Sequence, residues 1–181
     1  LALEMIEEGD AICLGEVGRP HYQVSEHRWE RANDMLLEIM RMASSSNVPI
    51  QLHVEDNGHQ TCADLASLCD KAGLPRNRAV RHFASPDLTQ ENTSGLPVSV
   101  SMGKGSIERI CSTIELSKSH WGMETDFLDD PKRPGAVLGP RTIPKRTNQL
   151  CQALKLMEWD DEKIERYILD VHENWISSTY F

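Results

Sequence analysis

Glu16, His53, His82 and Asp126 each stand at or near the C-terminal end of a short apolar run, and together they supply two carboxylates and two imidazoles. That donor set suits zinc, manganese or a similar divalent ion, which can acidify a bound water until hydroxide forms near neutral pH. Taken singly, each residue has a plainer reading. A lone histidine is more often a hydrogen-bonded structural residue, and a carboxylate ending a strand is as ready to cap a helix or pair with a base. The shared position of all four is what favours a metal. Of the other histidines, His27, His59, His120, His172 and His21, only His21 and His59 follow ligand-bearing runs, and exposure to solvent is the expectation for both.

The runs at 11–17, 48–54, 79–84, 96–102 and 121–127 have the length and composition of strands. Between them apolar residues recur with helical period: Trp29, Leu36, Met40 and Ala43, then Leu65, Leu68 and Ala72, then Ile107, Ile110 and Ile114. Only Asp87 to Gly95 separates the third strand from the fourth, so a helix there must be small. Leu1 to Glu8 reads as a helix tail ended by Gly9. After a long loop at 128–142, Leu150, Leu154 and Met157 mark one helix and Ile164, Tyr167, Val171 and Trp175 another, both expected outside the sheet. Strands alternating with helices imply a parallel sheet, either open and doubly wound or closed into a barrel. In a parallel barrel the C-terminal strand ends converge on one face, which would bring the four candidate ligands together. Glu124 shares the last strand end with Asp126.

Length and composition bound the remaining possibilities. A chain of 181 residues, 39% hydrophobic and 26% charged, is expected to form a single domain over 1–181. No apolar run approaches the roughly 18 residues of a membrane span and no secretory signal opens the chain, so a cytoplasmic protein without membrane attachment is expected. The five cysteines are scattered and form no C-x-x-C pair, consistent with reduced thiols. No G-x-G-x-x-G or P-loop pattern occurs, which disfavours nucleotide-cofactor folds. A net charge of −9 argues against coating nucleic acid by bulk electrostatics but leaves room for a local basic pocket. One such place is the segment from Pro131 to Arg146, with five basic residues and no acid, including Lys132, Arg133 and Arg141. It serves equally as a solvated loop or as a grip for phosphate or carboxylate. Arg19 and Lys104, also just after strands, tilt slightly towards the anion pocket.

Gly15-Glu16-Val17-Gly18, Pro49-Ile50-Gln51-Leu52-His53, His82-Phe83 and Met123-Glu124-Thr125-Asp126 resemble, in order, the fourth-, fifth-, sixth- and eighth-strand motifs of the TatD family of metal-dependent hydrolases. The resemblance covers nearly the whole chain. It implies an α/β fold of the (β/α)8 TIM-barrel type, of which this chain would supply strands four to eight with their helices. It further implies two divalent metal ions (zinc, manganese or magnesium), with Glu16 bridging both, His53 and His82 binding one, and Asp126 binding the other. An H-x-H pair that completes the family's second site is not found here, so strands one to three are expected upstream of Leu1, and the chain alone is expected to be inactive.

By the same resemblance, a metal-activated water attacks the substrate, and Asp126 acts as the catalytic residue that orients the water and takes its proton. The implied substrate is DNA, cleaved at phosphodiester bonds, with Arg19, Lys132, Arg133 and Arg141 as candidate binding residues. A small phosphorylated or carboxylated substrate of an amidohydrolase (an amide, ester or lactone) is the alternative, and a non-catalytic barrel remnant a third. The chain departs from the family in three places. The usual Leu-Asp after G-E-x-G is Arg19-Pro20, the usual Ser-Arg after the strand-five histidine is Val54-Glu55, and Cys-Phe-Ser-Gly does not follow His82. These positions are expected to face substrate.

Overall fold

The computed structural model describes residues 2–127, 132 and 138–181. Five short strands carry the fold: β1 (Leu14–Gly18), β2 (Ile50–His53), β3 (Ala79–Ala84), β4 (Val98–Ser101) and β5 (Trp121–Glu124). They form one sheet in the order β1-β2-β3-β4-β5, and every neighbouring pair is parallel. Among the described residues β1 and β5 do not pair with each other, so the sheet is barrel-like in its topology without being closed. The strands are shorter than the apolar runs because those runs include the entry and exit residues. Before β1 lies the short helix α1 (Ala2–Glu7), and Gly9 follows it at φ +84°, the left-handed conformation that glycine adopts without a Cβ penalty.

Helices join successive strands: α2 (Glu26–Ser45), α3 (His59–Ala72), the single turn α4 (Gln90–Thr93) and α5 (Ser106–Thr113). In α2 the buried residues Leu36, Met40 and Ala43 fall on one stripe, and in α3 Cys62, Leu65, Ala66 and Cys69 do the same. These stripes pack with Ile50, Leu52 and Ala79 in one core cluster. A second cluster joins Val98, Val100 and Trp121 to Ile107 and Ile110 of α5 and to Leu150 and Leu154 of α6 (Thr142–Leu156). α7 (Asp161–Leu169) adds Ile164, and the Trp121 indole N–H donates to the Tyr167 hydroxyl at 2.6 Å. None of the described helices is long and apolar enough to cross a membrane.

Side chains alternate across each strand, which splits the sheet into two chemically different faces. Ile50 and Leu52 are fully buried towards the helices, while Gln51 and His53 between them point the other way and are half-buried. The helix side is apolar, and the opposite face carries Gln51, His53, His82, Ser99 and Glu124. This is the face on which chemistry can be placed.

The expectation that both terminal helices pack outside the sheet needs correction for the last of them. A π-helical turn (Asp170–Asn174) leads from α7 into α8 (Trp175–Tyr180). Trp121 belongs to the helix-side core, so Gly122 faces the other way, and the Trp175 indole lies directly against it. A Cβ on Gly122 would sit 2.4 Å from that ring. The Thr179 carbonyl then accepts from Arg78 Nη1 at 3.0 Å, tying the last helix to the approach to β3. Sequence period alone could not show this, because a helix that wraps around an edge strand has the same apolar spacing as one that stays outside. Gly122→Ala in the full-length protein should cost about 1–3 kcal/mol through overpacking and lower the melting temperature by roughly 2–4 °C per kcal/mol for a protein of this size. An unchanged melting temperature would show that Trp175 does not cover Gly122.

Candidate metal centre

Parallel pairing puts the C-terminal ends of β1, β2 and β3 side by side, and each delivers one ligand. Register pairs Gly18 with His53 and Leu52 with Arg81, which sets Glu16, His53 and His82 on the same face. Their donor atoms converge: Glu16 Oε2 lies 3.5 Å from His53 Nδ1, and Glu16 Oε1 lies 3.4 Å from His82 Nε2. The three groups offer atoms all within 4.8 Å of one another, the metal-sized cluster found among the described residues. Bonds of about 2.0–2.2 Å in tetrahedral geometry put donors about 3.3–3.6 Å apart, which matches these distances.

The facing nitrogens test whether a metal fits. His53 Nδ1 and His82 Nε2 are both buried and have no hydrogen-bond partner. Such orphaned polar atoms are costly unless something else satisfies them, and a cation between them and Glu16 would do so. The far nitrogens are already engaged. His82 Nδ1 donates to Glu124 Oε2 at 2.8 Å, and His53 Nε2 lies 3.2 Å from His21 Nδ1. A ligating imidazole held through its other nitrogen by a carboxylate is the usual support of a metal site, because it fixes tautomer and ring orientation.

Glu124 is held in its turn. It accepts from the Phe83 backbone N–H at 2.9 Å and from the Ser99 hydroxyl at 2.5 Å as well as from His82. Burial by itself would lower the pKa of His82. The Glu124 hydrogen bond and the charges of Glu124, Glu16 and Asp126 outweigh it and raise the pKa above the ordinary imidazole value. Three carboxylates around one buried imidazole leave an excess of negative charge that a divalent cation would balance.

Asp126 stands just beyond β5 in the left-handed region, at φ +50°, and Oδ1 comes within 3.7 Å of His82 Nε2. It is therefore beside the cluster, at the edge nearest His82, and is not one of the three mutually close groups. The site opens through a hollow of ≈ 360 Å³ lined by Glu16, Val17, Gly18, Arg19, Pro20, His21, Tyr22 and His53. Glu16 and His53 keep 44% and 38% of their side-chain surface exposed, against 4% for His82, so the cluster is walled on one side and open on the other.

The candidate substrate residues are placed differently from one another. Arg19 is only 5% exposed, and its guanidinium is bonded to Glu55 at 2.8 and 2.5 Å and to Asn33 at 2.9 Å. These neighbours engage its guanidinium, while Arg19 also lines the hollow beside Glu16 and His53. Glu55 is likewise buried. Lys104, Lys132 and Arg141 are exposed. Arg133 lies outside the described residues, as does most of the basic loop. Arg146 donates to the Met102 carbonyl at 3.0 Å and braces the fold.

Two supporting residues are added by the tertiary structure. Glu124 ends β5 two positions before Asp126, and strand alternation puts it on the face opposite Trp121. His21 sits in the loop after β1, where no period exists to direct it.

At 31% identity over 166 residues the chain is similar to an uncharacterized protein of Methanocaldococcus jannaschii; the match covers 91% of this chain and 58% of that protein. The chain thus spans little more than half the length of the curated relative it matches. The sequence pattern of the family described as TatD related DNase matches residues 2–176. A parallel α/β sheet whose first three strand ends bring Glu16, His53 and His82 together, and a family match along nearly the whole chain, place this protein in the TatD-related DNase family.

Proposed function

We propose that this chain carries metal-binding and catalytic residues of a hydrolase that cleaves phosphodiester bonds in DNA. The observation that carries the reading is the convergence of Glu16, His53 Nδ1 and His82 Nε2, with both nitrogens buried and otherwise unpartnered. These three residues would hold one divalent ion, and Glu16 with Asp126 would reach towards a second. The bound ions would act as Lewis acids and raise the acidity of water at the site. Glu124 and Ser99 lock the His82 ring, and His21 steadies His53. Asp126, partly exposed and 3.7 Å from His82 Nε2, would orient a water and take its proton at a carboxylate oxygen.

The family description supports DNA as substrate. Leu138, three residues before Arg141, donates its N–H to the carbonyl of Thr125, the residue before Asp126, at 3.2 Å, which supports a basic residue near the site. Arg141, Lys132 and Arg133 are accordingly the residues proposed to meet phosphate. The net charge of −9 favours the alternative of a small ester, amide or lactone.

In the full-length protein, His82→Ala should abolish uptake of the first divalent ion in a titration. Glu124→Gln, which leaves the ligands in place but weakens the hold on His82, should reduce affinity about 10–100-fold. Wild-type affinity in His82→Ala would refute the metal centre. Asp126→Asn should depress kcat far more than it alters KM, whereas Arg141→Ala should chiefly raise KM for single-stranded DNA and flatten its salt dependence by about 0.7 per lost phosphate contact. Full activity of Asp126→Asn would overturn the catalytic assignment. Turnover of a lactone or ester with none of DNA would move the substrate to the small-molecule class.

A further inference from the structure

The exits of β1 and β2, which present Glu16 and His53, are joined by a buried ion pair. Arg19 lies three residues after Glu16 and Glu55 two residues after His53, and their side chains meet in a two-point contact, Nε to Oε2 at 2.8 Å and Nη2 to Oε1 at 2.5 Å. Both residues are nearly inaccessible, 5% and 9% exposed. The pair has further partners, among them Asp64, whose Oδ2 lies 3.5 Å from Arg19 Nη2. Asn33 Oδ1 accepts from Arg19 Nη1 at 2.9 Å, the guanidinium lies 4.6 Å from the Trp29 ring centroid, and Thr61 Oγ1 stands 3.3 Å from Glu55 Oε1. The backbones are also in contact here, because Arg19 N–H donates to the His53 carbonyl at 3.3 Å and a Cβ on Gly18 would fall 1.7 Å from that oxygen. On the other side of β2, Arg81, next to His82, holds Asp56 at 2.9 Å.

A buried ion pair is poor value as a source of stability. Desolvation offsets most of its attraction, and an apolar pair of the same volume often does as well or better. What an apolar pair cannot supply is direction. A planar guanidinium bound at two points fixes distance and angle between the two backbones that carry it. The two positions are also among those at which the sequence leaves the family pattern, Arg19-Pro20 and Val54-Glu55, and in the structure the two changes face each other as a matched pair of charges.

We infer that Arg19 and Glu55 are positioning residues of the metal centre: their ion pair sets the separation of Glu16 from His53, and with it metal affinity and coordination geometry. This rests on the metal-binding reading proposed above. Neither side chain touches the metal; both act through the strand exits.

The test uses the full-length protein stripped of metal and titrated with Co(II), following the visible absorption of the complex and the melting temperature of the metal-free protein. The informative variant is Arg19→Met/Glu55→Leu, which removes both charges together and leaves neither orphaned. The expected result is a metal-free melting temperature close to wild type, Co(II) affinity weaker by about tenfold or more, and a changed absorption spectrum. The reversed pair Arg19→Glu/Glu55→Arg should recover much of the affinity. If the apolar pair fails to fold, Arg19→Lys, which keeps the charge and loses the two-point fork, is read in the same way. Wild-type Co(II) affinity and spectrum in the variant that folds would overturn the inference while leaving the metal centre standing. A wild-type protein that takes up no Co(II) would instead remove the metal reading, and this inference with it.

Discussion

Parallel strand pairing is the constraint on which the rest of this structure depends. It forces the carboxyl ends of β1, β2 and β3 to lie next to one another, so residues far apart in the chain, Glu16, His53 and His82, arrive in one place with donor atoms 3.4–3.5 Å apart. The same alternation that buries Ile50 and Leu52 against the helices turns His53 to the opposite face. Ligand placement and core formation are therefore one event: a register slip of one residue would expose the core and bury the ligands the wrong way round.

Around this frame the electrostatics are arranged in layers. Next to the converging atoms, the His82 ring is oriented by Glu124, and Glu124 by Ser99 and the Phe83 backbone. Further out, Arg19 with Glu55 and Arg81 with Asp56 cross-link the strand exits on both sides of β2. At the centre Glu16, Glu124 and Asp126 surround His82, while further out each arginine faces an acid. That distribution suits a centre meant to receive a cation on a support whose own charges are already satisfied.

The departures from the family pattern acquire a physical sense from this arrangement. Read along the chain, Arg19 looks like an anion-binding residue just past a strand end, and Glu55 like an unrelated change. Folded, they are partners. Tyr22 and Phe83, 66% and 52% exposed, and Lys132 and Arg141 lie on the surface instead.

Strand and helix types, their parallel order and the family were legible in the sequence, because apolar period and strand-end motifs are local properties that survive in one dimension. That Glu16, His53, His82 and Asp126 would share one end of the sheet was legible for the same reason: each stands at or near the end of a run. Only the tertiary structure decided how these residues share the space, with three close together and Asp126 to one side of His82. It alone turned Arg19 inward, drew His21 to His53 and laid Trp175 against Gly122. Those outcomes depend on contacts between segments with no fixed spacing, and on whether a charge finds a partner when it is buried. Period and motif determine which face a residue joins; packing determines what it meets there.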